Sequence, residues 1–291
     1  MTVFELLIAS TISVMLLGMG LSATMANRNS YSYDILRTRL NQNIRNTFDI
    51  INSELRQAGE RLPSSFPAIE IINGSGSNSD EIILKRNLKD EVLTVCQTLT
   101  QGSTASNVYI TKTGAGTPPA CVYGTQTANY SAWKTYRQSK TSPIDAFIFD
   151  FATKKGEYFK YDTESDVANT SQSIHRLSGS WLNSYTGTGA SAYILNTWHF
   201  KMSQTAGQTD LLQLVENEDT SNPKNVSYGI DNIQFKVIMQ DDTEKTSFTA
   251  SDSWTQIKAI EVSVTASDTY RGRTITSTLS TQLFPRNVLS N

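Results

Sequence analysis

Histidine, cysteine and charge are all scarce in this chain of 291 residues, which has two His, two Cys and 18% charged side chains. So few histidines, with no Gly-x-Ser-x-Gly, Walker, His-Glu-x-x-His or EF-hand pattern, leave no frame for hydrolytic, nucleotide or metal chemistry, and the expectation is a non-enzyme without metal or cofactor. A net charge of −2 and a pI near 5.8 give no basic footprint for nucleic acid as a primary ligand. Proline is absent from Met1 until Pro63, and between Met1 and Ala26 the only ionisable side chain is Glu5. Basic residues do not precede this apolar run and no small-residue cleavage site follows it, so a secretory signal peptide is not expected.

What is present at that end is an apolar helix long enough to cross a bilayer, with one carboxylate near its start. An unpaired carboxylate in hydrocarbon costs several kcal/mol or becomes neutral, so a cationic partner is expected. The N-terminal amine of a neighbouring chain is the nearest candidate in stoichiometric supply. After Ala26 the pattern turns amphipathic. Leu36, Leu40, Ile44, Phe48, Ile51, Leu55, Ala58 and Leu62 recur at steps of three and four, while Arg37, Arg39, Arg45 and Arg56 take the other sides. Gly59 and Pro63 supply the stop. The predicted helix spans roughly 55 to 60 residues, about 80 to 90 Å. Its second half, 27–62, is expected to lie against a sheet.

Thr2, Glu5 and the following Leu6-Leu7-Ile8-Ala9 resemble the mature N-terminus of type IV pilins and of the pseudopilins of type II secretion. Asn52-Ser-Glu-Leu-Arg-Gln-Ala-Gly59, the segment Asn225 to Phe235 and the closing Arg286-Asn-Val are similar to the large PilW-like pilins and J-type pseudopilins. The resemblance implies an α+β, pilin-like fold in which a long N-terminal helix packs on an antiparallel β-rich head. It further implies that Met1 is the processed, methylated residue, that Glu5 registers each subunit against the Met1 amine of the next, and that the chain is a structural subunit of an extracellular filament. Phe4, Leu7, Ile8, Ile12, Leu16 and Leu17 are expected to supply the apolar contacts. Gly18 and Gly20, where many pilins carry a nearby proline, allow either local melting within a fibre or close helix packing. Partners implied are other copies or related pilins, an inner-membrane platform protein, an assembly ATPase, a prepilin peptidase and, in a diderm, a secretin. The implied location is the inner membrane before assembly and a cell-surface fibre after it. Two alternatives stand beside this reading, a minor subunit that initiates or tips the fibre and a membrane-anchored surface binding protein whose head works alone.

The head, 63–291, reads as strands and turns. Strands are expected at 69–72, 81–85, 92–95, 193–200, 211–215, 225–228, 233–239 and 256–266, with hairpins formed by 146–151 with 158–161 and by 256–266 with 273–284. Segments 101–130 and 162–189 read as irregular, the second anchored by Trp181. In the 256–266 strand, Lys258 is expected on the side of Ile260, Val262 and Val264. Cys96 and Cys121 enclose a Thr/Ser/Gly/Pro-rich stretch and read as a disulfide in an oxidising compartment. The acidic groups 216–219 and 241–244 match no calcium loop and read as solvated turns. Tyr123, Tyr130, Trp133, Tyr136, Trp181 and Tyr185 are expected mainly as anchors of core and loops.

Overall fold

A computed structural model describes residues 2–76, 78–141, 143–203, 211–270 and 273–289. Its first element is one continuous helix, α1 (Val3–Leu55), of 53 residues, about 80 Å long. With no proline to remove a backbone donor and no left-handed residue inside it, nothing interrupts the hydrogen-bond ladder. α1 runs unbroken through Gly18, Gly20 and Ser22. It stops at Leu55, short of the Leu62 boundary expected from the apolar stripe, and turns carry the chain on to Arg61. Gly59 is required there on two counts. Its φ is +80°, and a Cβ would come within 2.4 Å of the Trp254 ring. Its N–H donates to Lys85 O at 2.8 Å, fastening the helix end to the head.

The head is antiparallel throughout its described pairings. Its first two strands, β1 (Ile69–Ile72) and β2 (Glu81–Asn87), form a hairpin and are followed by β3 (Leu93–Thr94) and β4 (Asn107–Lys112). Helix α2 (Thr127–Gln138) precedes β5 (Ile144–Asp150), β6 (Lys155–Val167), β7 (Ser171–Arg176), β8 (Ala190–Tyr193) and β9 (Leu195–Ser203). The chain closes with β10 (Leu211–Glu216), β11 (Lys224–Tyr228), β12 (Ile230–Met239), β13 (Glu244–Lys245), β14 (Ile257–Tyr270) and β15 (Arg273–Leu283). Among the described residues three sheets result, ordered β1-β2-β9-β10-β11, β13-β12-β14-β15 and β3-β8-β5-β6-β7-β4.

The second half of α1 packs on β14, β15 and β11. Leu36, Leu40, Ile44, Ile51, Leu55, Ala58 and Leu62 are buried, and Phe48 packs partly buried on the same core. The expected stripe is therefore the seam between helix and head. Around it one apolar core joins the first two sheets, with Phe66, Phe200, Phe248 and Trp254 fully enclosed. A second core lies on the six-stranded sheet under α2, built around Trp133, Tyr161, Trp181 and Tyr185.

Three expectations for the head are corrected. Segment 101–130 is not an irregular excursion: it holds β4, a 3-10 turn at Pro119–Cys121 and the start of α2. Val108 and Ile110 alternate into the core, and α2 buries only Tyr130 and Trp133, too narrow a stripe to stand out among Thr, Ser and Gln. Segment 162–189 likewise contains the end of β6 and all of β7, joined by a turn in which Asn169 takes φ +58°. Trp181 anchors the loop between β7 and β8, buried and donating from Nε1 to Ala105 O at 3.2 Å. Finally, Lys258 does not share a side with Ile260. A bulge between Ile238 and Met239 breaks the register with β14, so Ile257 and Ala259 are both buried and Lys258 is left exposed, pairing with Asp242.

Candidate functional site

Residues 3–35 of α1 touch no other described part of the protein closely enough to bury a residue. An 18-residue window of this region has a mean hydropathy of 2.0 and no buried residue. Phe4, Leu7, Ile8, Ile12, Leu16 and Leu17 expose between 45% and 71% of their surface. Leaving that much apolar area in water is unfavourable by about 25 cal/mol per Å², so the segment requires lipid or protein around it.

Four hydroxyls of this half bond to the helix itself. Ser10 donates to Leu7 O at 2.9 Å, Thr11 to Ile8 O at 2.8 Å, Ser13 to Ala9 O at 2.9 Å and Thr24 to Gly20 O at 2.8 Å. Each hydroxyl bonds back to its own preceding turn, which keeps the outer surface of the helix apolar in effect. Glu5 is then the single ionisable residue before Arg28. Its backbone lies in the first turns of α1. Met1 and the Glu5 side chain lie outside the described residues, and so does the expected pairing of the two. A Cβ added to Gly18 or Gly20 would touch nothing within 4 Å, so neither glycine is forced by the single chain.

Cys96 and Cys121 are joined, with Cα atoms 5.5 Å apart. Gln126, which sequence reading passed over, completes the clasp. Its Oε1 accepts from Thr94 N at 2.8 Å while its Nε2 donates to Ile110 O at 2.8 Å, tying the start of α2 to β3 and β4. A second clasp holds the other end of α2. Arg137 Nε and Nη2 reach the two oxygens of Glu164 at 2.9 and 2.8 Å, and Tyr161 and Gln138 add bonds at 3.1 and 2.8 Å. Burial would raise the Glu164 pKa, but these donors hold it below the usual carboxylate range. Nothing in the sequence links residues so far apart.

The remaining candidates disperse. His175 lies between the hydroxyls of Thr163 and Ser173, and His199 sits 2.6 Å from Glu81. Among the described residues no three His, Cys, Asp or Glu side chains gather as a metal site. Asp219 and Asp241 are occupied by their own turns, accepting from Ser221, Asn222 and Thr243, which lowers both pKa values. Glu218 differs from them. It follows Asn217 in the left-handed region at φ +62°, and burial raises its carboxyl pKa. It faces a cleft of about 360 Å³ between the first and third sheets, lined also by Glu70, Lys85, Lys155 and His199. The aromatic residues behave as anchors: Tyr130, Trp133, Trp181 and Tyr185 are buried, and Tyr123 and Tyr136 half-buried.

No family model, curated protein or solved structure matches this chain. The arrangement itself is thus the ground for a functional reading: an uncovered apolar rod, continuous with a helix seated on a β-rich head.

Proposed function

We propose that the chain is a membrane-anchored subunit that polymerises through the first half of α1. In particular it is read as a type IV pilin-like protein, held in the inner membrane before assembly and presenting its head on the outside of a fibre afterwards. One observation carries this: the apolar half of α1 is bare of protein contacts and internally hydrogen-bonded, while the same unbroken helix is buried in the head along its other half. Such a rod is stable in lipid and equally stable among copies of itself.

In a bundle of these rods apolar burial is non-directional, since one greasy surface fits another in many registers. Glu5 gives the register. In a dry interface its carboxylate is compensated by the amine of Met1 from a neighbouring chain, and losing the partner costs about 3–5 kcal/mol. The assembly ATPase, platform protein, peptidase and secretin enter this reading through the resemblance of the N-terminal residues. Phe4, Leu7, Ile8, Ile12, Leu16 and Leu17 supply the bulk of the contact and no cofactor takes part.

The test is Glu5→Leu, followed by membrane fractionation and by shearing of surface fibres. The variant is expected in the membrane fraction in normal amount and strongly depleted from fibres. Normal recovery in fibres would remove Glu5 from the mechanism.

A further inference from the structure

The passage from bare rod to seated helix lies between Ala26 and Leu36, the first buried residue of α1. From Val3 to Ala26 the helix rises about 35 Å, somewhat more than the roughly 30 Å hydrocarbon core. Residues just beyond Ala26 therefore fall at the level of lipid headgroups. Arg28 is about 3 Å above that boundary, Tyr31 about 8 Å and Arg37 about 16 Å. Arg28 and Arg37 are exposed, and their guanidinium groups make no hydrogen bond or ion pair among the described residues. Tyr31 exposes 68% of its surface. Arg39 is taken by Asp268 near the end of the β14–β15 hairpin, so the head itself begins just above.

We propose that this collar, with Arg28 at its centre, docks into the headgroup layer of the head-side leaflet and selects anionic phospholipid. The ligand is the phosphate of a headgroup that carries no cation of its own; in a zwitterionic lipid the headgroup ammonium already compensates the phosphate and weakens its pull on Arg28. A guanidinium presents paired donors that match phosphate oxygens, and its flexible stem lets it settle at the depth where phosphates lie. Tyr31 adds an amphipathic ring at the level where aromatic residues gather in membrane proteins. Asp34 is the opposing charge in the collar, exposed and about 12 Å above the boundary. Arg37 stands roughly one Debye length above the phosphates and acts more weakly. Arg45, about 28 Å up the helix, and Arg56, just past its end, are out of range. Selection is thus graded by height. The proposal rests on the membrane-anchored stage of the reading above and not on polymerisation.

The experiment places the full chain in nanodiscs of equal parts phosphatidylcholine and phosphatidylglycerol, then counts the lipids retained on it by native mass spectrometry. Wild type is expected to retain phosphatidylglycerol preferentially. Arg28→Gln is expected to lower that preference about fivefold, equivalent to about 1 kcal/mol. Arg37→Gln should lower it less and Arg45→Gln not at all. Arg28→Lys, which keeps the charge, should preserve most of it and stands in if Arg28→Gln inserts poorly. Equal retention of the two lipids by wild type, or equal losses at positions 28, 37 and 45, would overturn the proposal. Fibre yield from the same wild-type chain separates the two readings. A chain that selects phosphatidylglycerol but never polymerises contradicts the filament alone, and one that polymerises without lipid preference contradicts only the collar.

Discussion

The two halves of α1 share a backbone and differ in everything around it. The first half has four hydroxyls that bond inward and, among its described residues, no ion pair and no buried side chain; the second presents a strict three-four stripe to β11, β14 and β15 and keeps its arginines outside. A helix needs no partner to satisfy its backbone, so the partner is decided by side chains alone. Here the side chains assign the second half to the chain's own head and leave the first for lipid or for other protein.

The sharpest way to break that division is to truncate one apolar side chain in each half. Ile44→Ala, in the fully buried seam, should destabilise the head by about 2–5 kcal/mol, whereas Leu16→Ala should leave its unfolding unchanged. Chemical denaturation of both variants in detergent checks this, and a large effect at Leu16 would mean that the first half is not independent of the head. The next effect is smaller and confined to the cystine-clasped part of the head. Removing the cystine by Cys96→Ser with Cys121→Ser should cost the head roughly 3 kcal/mol. Denaturation midpoints with and without reductant report it, and retention in membranes should not change.

The smallest effect concerns pH. Glu164 has a lowered pKa in the folded protein, so its contribution to stability is complete above the ordinary value near 4.5 and is lost as the pH falls through the lowered one. Acid should therefore loosen α2 before it disturbs α1. Arg137→Ala should remove this acid sensitivity and cost about 1–3 kcal/mol at neutral pH. Thermal melts across an acid series decide it, and an unchanged acid profile in the variant would remove Glu164 from the account.

Much of this was legible in the residues, and the reason differs from element to element. Leu36 through Leu62 stood out because a helix seated on one side writes its burial as a period of three and four. The β5–β6 hairpin was visible in Ala146 to Phe151 and Tyr158 to Tyr161 because apolar runs flank a turn. α2 was hidden because a short helix lying on one face of a sheet buries just two residues, Tyr130 and Trp133. β7 was hidden because Ser171-Gln-Ser-Ile-His-Arg176 buries polar side chains, Gln172 and Ser173, beside a lone Ile174. The bulge that turns Lys258 outward leaves no mark in its own strand, since the irregularity is set by the pairing with β12. The clasp of Arg137 on Glu164 joins partners that only the folded sheet brings together.

The inward-turned hydroxyls of Ser10, Thr11, Ser13 and Thr24 carry a consequence for movement. Because these four hydroxyls already bond to carbonyls of their own helix, exchanging acyl chains for apolar side chains around them breaks none of those bonds, as a bearing turns in oil or against another bearing.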